Sequence, residues 1–357
     1  MTTRAHTRRH VFRAPLVALI ACGFLAAAPT ASVATPPGKN GQIAFRRYLD
    51  AKRSTGALFR ANSDGSGVVQ VTHPPRGVVD QFEDWSPDGR RLVFERKVPC
   101  PAGGPRDGLD DTCDRVYTVE SDGTGLTALV PCGFDVDKPF PGICVGARTP
   151  AWSPDGSMVA FRYALVDDRY AGSYDTNIGI WVVGADGSGR RQVTQLTPGS
   201  SWDREPQWSP DGKKLVFVRD DLVRKSEAVF TVNLDGTGLL QVTPWTLHAG
   251  GRPDWSPDGK WILVTAGPPD GSENVYKIHP DGTGLVNLTK QGAGGSHHLT
   301  STWSPDGTLI VSARRPGVGP NGYPDVVVMR ADGSGLHWIT KTPLWERSVD
   351  WGRRPIR

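Results

Sequence analysis

Four arginines lie just before tryptophan-containing segments of this sequence, and they are the residues best suited to bind a ligand: Arg148, Arg204, Arg252 and Arg347. A guanidinium presents its N–H groups as a planar fork that fits a carboxylate or a phosphate with two parallel hydrogen bonds. Four such groups converging from different parts of the chain would therefore form an anion site. The alternative is that they pair with acidic neighbours such as Asp203 and Glu205 and only stabilise the fold.

The histidines His297 and His298 and the tryptophan Trp202 also lie shortly before tryptophan-containing segments. His297 and His298 are adjacent, and since neighbouring side chains on a strand point to opposite sides, at most one of them would face the same site as the arginines. That histidine would act as a metal ligand or a general base, or the pair would lie in a solvated loop. Trp202 lies in the segment that leads into the Trp208 motif. It would anchor a partner or a sugar ring, or it would cover a sheet edge.

Known catalytic motifs are absent from the sequence. It contains no Gly-x-Ser-x-Gly elbow, no His-Glu-x-x-His helix and no phosphate-loop lysine. Its Gly-x-Gly segments recur between strand-like runs, whereas a nucleotide fingerprint joins a strand to a helix. No acidic loop has the calcium-binding spacing. We therefore predict no catalytic residues, no metal and no cofactor.

Two motifs alternate along the chain and indicate the elements that position these residues. Trp-Ser-Pro-Asp-Gly begins at Trp85, Trp152, Trp208, Trp255 and Trp303, with a degenerate copy at Asp350-Trp351-Gly352. Asp-Gly-(Ser/Thr)-Gly begins at Asp64, Asp122, Asp186, Asp235, Asp281 and Asp332. Both are turn sequences. Short apolar runs such as Leu92-Val93-Phe94 lie between them and are typical of strands.

The repeat predicts an all-β fold, a six-bladed β-propeller of four-stranded antiparallel blades. The C-terminal strand around Val349-Asp350-Trp351 is expected to pair with the N-terminal strand Gly41–Phe45 and close the ring. Both motif turns fall on one face. The long, variable loops fall on the other, where we expect binding residues to gather. The motif tryptophans recur in every repeat, so we expect them to pack between blades.

The paired Trp-Ser-Pro-Asp-Gly and Asp-Gly-x-Gly motifs resemble the WD40-like repeats of the TolB-type β-propeller family, over essentially all of residues 35–357. The resemblance implies the propeller fold. In the family, TolB docks a peptidoglycan-associated lipoprotein over its channel, and related propellers belong to prolyl-oligopeptidase-like peptidases and oligogalacturonate lyases. TolB also carries an N-terminal α/β domain, and the peptidases carry a hydrolase domain. Neither is expected here, so the role of TolB does not transfer directly.

Charge and cysteine content favour export. Residues 1–34 combine four arginines, an apolar run from Ala14 to Ala28 and a small-residue site ending at Ala34, which is typical of a secretory signal peptide. Export by the general or the twin-arginine route is open, and the alternative to cleavage is a lipid anchor at Cys22. Of 41 basic residues those four lie in the signal, which leaves 37 basic against 37 acidic residues. A neutral body argues against nucleic acid as a partner.

Four cysteines remain after the signal, an even number that suits an oxidising compartment. The simplest pairing is Cys100–Cys113 and Cys132–Cys144, although four cysteines allow three pairings. Each bridge would close a local loop and stabilise it by about 3 kcal/mol. Their spacing does not match a zinc site.

These features lead to one functional hypothesis and one alternative. We expect an exported, periplasmic or secreted, monomeric propeller without a membrane span. It would be non-enzymatic and bind a protein or a cell-envelope component over its loop-rich channel face. The alternative is a lyase or hydrolase acting on an acidic saccharide at the channel mouth, which would use His297 or His298 together with the arginines.

Overall fold

The structure is a computed structural model that describes Met1 and residues 38–99, 112–130, 143–166, 177–196, 200–267, 272–290, 297–315 and 322–355. Residues 31–357 form one compact unit. The predicted signal segment, with Cys22, lies outside the described residues except for Met1. Cys100 and Cys132 also lie outside them. Export and the two disulfide pairs therefore stay predictions.

The described residues of this unit form 24 β-strands and one short 3-10 helix, Trp245–Leu247. The first twelve strands are β1 (Asn40–Tyr48), β2 (Gly56–Ala61), β3 (Val69–Gln70), β4 (Val79–Trp85), β5 (Arg91–Pro99), β6 (Thr112–Glu120), β7 (Thr127–Val130), β8 (Ile143–Trp152), β9 (Met158–Val166), β10 (Asn177–Gly184), β11 (Arg191–Gln192) and β12 (Ser201–Trp208). The others are β13 (Lys214–Asp221), β14 (Ser226–Asn233), β15 (Leu240–Gln241), β16 (Asp254–Trp255), β17 (Ile262–Ala266), β18 (Asn274–Ile278), β19 (Val286–Asn287), β20 (His297–Trp303), β21 (Leu309–Arg315), β22 (Asp325–Arg330), β23 (His337–Trp338) and β24 (Glu346–Arg353).

Consecutive strands pair antiparallel in sets of four. Strands β12–β15, β16–β19 and β20–β23 form three separate four-stranded sheets. The other twelve strands form one sheet in which single parallel pairs, Gly56 with Val79 and Asp114 with Gly146, join antiparallel sets. The last strand, β24, pairs antiparallel with β1. The predicted all-β architecture is thus confirmed, and so is the pairing of the two terminal strands.

The Ser-Pro-Asp-Gly turns are held by their own side chains. The Ser86 hydroxyl donates to Asp88 Oδ1 at 2.6 Å and accepts the Arg91 backbone N–H at 2.9 Å. Gly89 has a φ of 67°, and a Cβ on it would lie 2.1 Å from the Arg353 carbonyl oxygen. Only glycine fits this left-handed, crowded position. The turn therefore fixes the start of β5 and packs on the neighbouring strand.

The core lies between neighbouring sets of strands. Trp208, at the end of β12, is 2% exposed and packs with Ala151 and Ile180 of the preceding set. Its indole N–H donates to the Ala151 carbonyl oxygen at 3.1 Å. Trp85 packs in the same way on Ala44. The predicted packing role of the motif tryptophans is confirmed.

Within the described ranges, no helix has the length and the apolar character that a membrane span requires.

Candidate ligand-binding site

A cavity of about 350 Å³ lies near the C-terminal ends of β1, β5 and β9. Strands β5 and β9 begin after Ser-Pro-Asp-Gly turns, so the cavity lies at the ends of these strands away from the turns. Side chains from several sets of strands line it, and seven of them are basic against two that are acidic. We call it the mouth cavity, and it is lined by Arg46, Tyr48, Arg53, Gln81, Phe82, Glu95, Lys97, Arg148, Thr149, Arg162, Arg204, Glu205, Trp345 and Arg347. Three of the four arginines predicted from the sequence thus line one cavity.

Two pairs of arginines face each other across strands in this cavity. Arg46 on β1 is the register partner of Arg347 on β24, and Arg148 on β8 is the partner of Arg162 on β9. Directly opposed side chains on neighbouring strands have Cβ atoms about 5 Å apart, and like charges there destabilise a sheet. Of the two pairs, Arg46 and Arg347 are the one for which no acidic ion-pair partner lies among the described residues, so this pair indicates a site for an anion.

Arg46 and Arg347 have no acidic partner among the described residues. Arg46 is 4% exposed and donates a hydrogen bond to the neutral amide oxygen of Gln81. The buried Nε atoms of Arg46 and Arg347 both lack an acceptor. Burial, together with the charge of Arg347, lowers the pKa of Arg46 from its ordinary value, although a guanidinium stays charged at physiological pH. Each of the two guanidinium groups therefore keeps at least one N–H group without an acceptor among the described residues.

On each of the four strands β4, β8, β12 and β24, one mouth-cavity residue is directly followed by a residue with positive φ. Phe82, Thr149, Glu205 and Ser348 all have φ between 49° and 55°, a region that side-chain-bearing residues rarely adopt. They directly follow Gln81, Arg148, Arg204 and Arg347, and the strand register shifts at the same places. Such bulges redirect side chains and cluster at functional sites.

A chain of hydrogen bonds links the strands around the cavity. Gln81 Nε2 donates to Glu95 Oε1 at 2.8 Å. The backbone N–H of Thr149 donates to Glu95 Oε2 at 3.0 Å, and the Glu205 N–H donates to the Thr149 hydroxyl at 3.2 Å. With the bond from Arg46 to Gln81, this chain runs from β1 to β12 and holds the wall rigid.

The arginines on the other side of the cavity are ion-paired. Arg148 contacts the buried carboxylate of Asp114. Arg204 donates to both oxygens of Asp220, at 2.7 and 3.1 Å, and to the Gly250 carbonyl oxygen at 2.8 Å. Its Nη1 also lies 3.0 Å from Glu205 Oε1. Arg148 and Arg204 thus pair with acidic neighbours, as the alternative to an anion site in the sequence analysis expected.

Arg252, the fourth predicted arginine, is not among the residues that line the mouth cavity. It is buried, donates to Asp84 Oδ1 and to the Glu83 carbonyl oxygen, both at 2.8 Å, and so joins a cluster of buried acids. Burial raises the pKa of Glu83 to about 8 and that of Asp254 to about 7. Arg252 therefore compensates internal negative charge.

The histidines are also away from the mouth cavity as the described residues define it. His298 is fully buried, and its Nδ1 lies 2.9 Å from the Ser312 hydroxyl. Burial, with a contribution from Arg314, lowers the pKa of His298 to about 3, which leaves it a weak base. His297 Nδ1 lies 3.8 Å from Glu273 Oε2. Neither histidine is thus among the residues that line the mouth cavity with the three arginines.

A second cavity of about 500 Å³ adjoins the first. We call it the Trp202 cavity, and it is lined by Arg162, Trp202, Arg204, Asp220, Asp221, Leu222, Lys225, Ser226 and Glu227. Arg162 and Arg204 belong to the lining of both cavities. Trp202 is partly buried against Ala164 and Ile178. The sequence-based candidate Trp202 therefore lies beside the mouth cavity.

Sequence reasoning missed Arg46 and Arg162, which oppose two mouth-cavity residues. A signal exists in the repeats: both follow the phenylalanine of an apolar strand, in Phe45-Arg46 and Phe161-Arg162, as Glu95 follows Phe94. Alignment of the repeats therefore places Arg46, Arg162 and Glu95 at equivalent positions on equivalent strands.

Within the described part of the chain, no group of three or more His, Cys, Asp or Glu side chains is arranged to hold a metal ion.

Four-stranded antiparallel sets, several of which contribute to one arginine-lined cavity, define the class of this protein: it is an all-β propeller protein. The TolB beta propeller domain family matches residues 136–334, more than half of the chain. The chain belongs to this family.

Similar proteins support the assignment. The chain is 28% identical to "Protein TolB homolog" of Chlorobium luteolum, over 64% of this chain and 43% of that protein. It is 32% identical to "Uncharacterized peptidase YuxL" of Bacillus subtilis, over 34% of this chain and 17% of the peptidase. The matched stretch thus spans less than two thirds of each of these relatives. The crystal structure of TolB from Acinetobacter baumannii is similar with a TM-score of 0.62 and 18% identity, over 88% of this chain and 67% of that one, which shows the fold alone.

Proposed function

We propose that this protein is a non-enzymatic binding propeller that engages a protein or a cell-envelope ligand through an anionic group held in the mouth cavity. One observation carries the proposal: Arg46 and Arg347 face each other with buried, unpartnered N–H groups. A carboxylate between them would accept hydrogen bonds from both guanidinium groups and remove their mutual repulsion.

The architecture proposed for this role is a ring of six blades. The pairing of β24 with β1 supports closure, because it joins the two ends of the chain in one antiparallel sheet. Closure would hold the two opposed arginines, which come from opposite ends of the sequence, at a fixed separation. Truncation before Glu346 is expected to abolish cooperative unfolding, and cooperative unfolding of the truncated chain would contradict ring closure.

The location proposed is outside the cytoplasm, in the periplasm or the medium. The signal-like composition of residues 1–34 supports it. Sequencing the N-terminus of the mature protein is expected to find Thr35 first. A mature protein that begins at Met1 and stays in the cytoplasm would overturn this part of the proposal.

The binding role is tested with a purified partner. Proteins captured from the cell envelope are identified, purified and titrated against the wild type and against the Arg46→Gln/Arg347→Gln double variant. We expect the double variant to bind at least tenfold more weakly, because charge-assisted hydrogen bonds to a carboxylate are lost. Arg330→Gln, a change at an exposed arginine on β22, is the control and should bind normally. Equal affinity of wild type and double variant would exclude the arginine pair as the binding site.

A further inference from the structure

We infer that the Trp202 cavity is a second subsite for the same ligand, and that this ligand is an acidic peptide segment with a bulky apolar side chain near its carboxylate. The inference rests on the proposed function and adds the chemical class of the ligand. It begins from the contact between the cavities: Arg162 and Arg204 line both, so a ligand that fills the first lies next to the second.

The shared wall is rigid. Arg204 is held by Asp220, by Glu205 and by the Gly250 carbonyl oxygen at distances of 2.7 to 3.1 Å. A guanidinium has five N–H donors, and most of those of Arg204 are already used. Arg204 therefore divides the two cavities and fixes their spacing, whereas Arg46 and Arg347 supply the unused donors for the anion.

Most polar groups of the Trp202 cavity have partners within the protein. Asp220 accepts from Arg204, and Asp221 accepts the backbone N–H groups of Val223 and Arg224 at 3.0 and 2.8 Å. The Ser226 hydroxyl donates to the Trp245 carbonyl oxygen at 2.7 Å. What the cavity chiefly offers to a ligand is thus the apolar surface of its side chains.

That surface comes from Trp202 and Leu222, which are both partly exposed. Trp202 is braced from behind by Ala164 and Ile178, so its ring presents a preorganised face to the cavity. A rigid aromatic platform of this kind binds another apolar group with little loss of side-chain entropy.

The satisfied polar groups favour a hydrocarbon side chain over a sugar ring. A bound sugar buries several hydroxyl groups, and each one needs a hydrogen-bond partner to offset its desolvation. Among the polar side chains that line the Trp202 cavity, those of Trp202, Lys225 and Glu227 have no hydrogen bond to a described residue, which leaves few donors and acceptors for a sugar. A phenylalanine or leucine side chain needs none. A peptide links such a side chain to a carboxylate a few residues away.

Three capped tripeptides test this inference by calorimetric titration: acetyl-Glu-Gly-Phe-amide, acetyl-Glu-Gly-Gly-amide and acetyl-Gln-Gly-Phe-amide. The wild type is expected to bind the first peptide about ten- to a hundredfold more tightly than the second, because a phenyl ring is removed from water. The third peptide should bind weakly, since it lacks the anion. Digalacturonate, an acidic saccharide, is the fourth probe.

Trp202→Ala should remove the advantage of the Phe peptide and leave the affinity for the Glu-Gly-Gly peptide unchanged. Leu222→Gln, which keeps the Trp202 packing, should reduce the same advantage. Trp338→Ala is the control, because Trp338 on β23 is not among the described residues that line either cavity. It should bind all probes as the wild type does. Arg347→Gln should weaken both Glu peptides by the same factor.

The results that would refute the Trp202 subsite differ from those that would refute the proposed function. Equal affinity for the two Glu peptides, with an effect of Arg347→Gln on both, would refute the Trp202 subsite and leave the proposed function standing. Tighter binding of digalacturonate than of the Phe peptide, lost in Trp202→Ala, would replace the peptide by a saccharide. Failure of the wild type to bind any acidic probe would contradict both proposals.

Discussion

The two sides of the mouth cavity use the same residue type in opposite ways. On the β1–β24 side, Arg46 and Arg347 oppose each other without an acidic partner among the described residues. On the β8–β12 side, Arg148 and Arg204 are each paired with carboxylates. The contrast repeats within one strand, since Arg47, next to Arg46, pairs with Glu346 at 2.6 Å. An arginine stabilises the wall where an acid lies within reach, and remains available for a ligand where none does.

The largest expected effect comes from breaking a pair on the β8 side. Arg148→Ala removes one ion-pair partner from the fully buried carboxylate of Asp114. We expect the free energy of unfolding to fall by about 3–5 kcal/mol, because breaking a buried ion pair is strongly destabilising. Urea unfolding measures this. Arg347→Ala is the matched change on the other side and should alter stability by less than about 1 kcal/mol. Equal losses in both variants would remove the distinction between the two sides.

The second prediction concerns the buried acids that surround Arg252. Glu83 is fully buried, neither of its carboxylate oxygens has a hydrogen-bond partner among the described residues, and burial raises its pKa to about 8. Between its ordinary pKa of 4.5 and pH 8, the folded protein keeps a proton that the unfolded chain releases. Stability should therefore fall as the pH rises through this window, by on the order of 5 kcal/mol for this group.

Glu83→Gln tests the sign of that dependence. The variant should lose the Glu83 part of the slope when unfolding free energies are measured from pH 5 to pH 9. Glu227→Gln, at a partly exposed position, should keep the wild-type slope. A wild type whose stability rises over this range would show that the charge of Arg252 outweighs the burial of the acids.

The third prediction separates binding from stability on the β1–β24 side. Arg347→Gln should weaken an acidic ligand about tenfold, while the free energy of unfolding stays constant or rises by about 0.2–1 kcal/mol, because a like-charge pair is relieved. Arg47→Gln should lower the free energy of unfolding and leave the ligand affinity unchanged, since it removes the ion-pair partner of buried Glu346 and leaves the cavity donors in place. If both variants lost stability alike, Arg347 would belong with the paired arginines.

The smallest expected effect concerns His298. Burial lowers its pKa to about 3, so the imidazole should remain neutral from pH 5 to pH 8, where an ordinary histidine titrates near 6.5. An NMR titration of the ring resonances should show no midpoint for His298 in that range. A midpoint near 6.5 would show that the ring is not buried as described and would reopen its use as a base.

Much of the fold follows from local sequence. The Ser-Pro-Asp-Gly turn is specified within five residues, by the serine–aspartate bond and the positive φ of Gly89. The motif tryptophans reveal their packing role through their recurrence. Of the candidate site, the sequence indicated Arg148, Arg204, Arg347 and Trp202, which line the two cavities. It did not indicate Arg46, because in the sequence this residue looks like one member of an Arg46-Arg47 surface pair.

What the sequence by itself determined is the set of turns, strands and repeats, since these depend on residues close together along the chain. What only the tertiary structure decided is which arginines are paired. Arg46 meets Arg347, and Arg47 meets Glu346, only because the first and last strands lie side by side in one register. The bulges at Thr149, Glu205 and Ser348 then aim their neighbours into one cavity. Charge compensation acts through space, so sequence distance cannot reveal it.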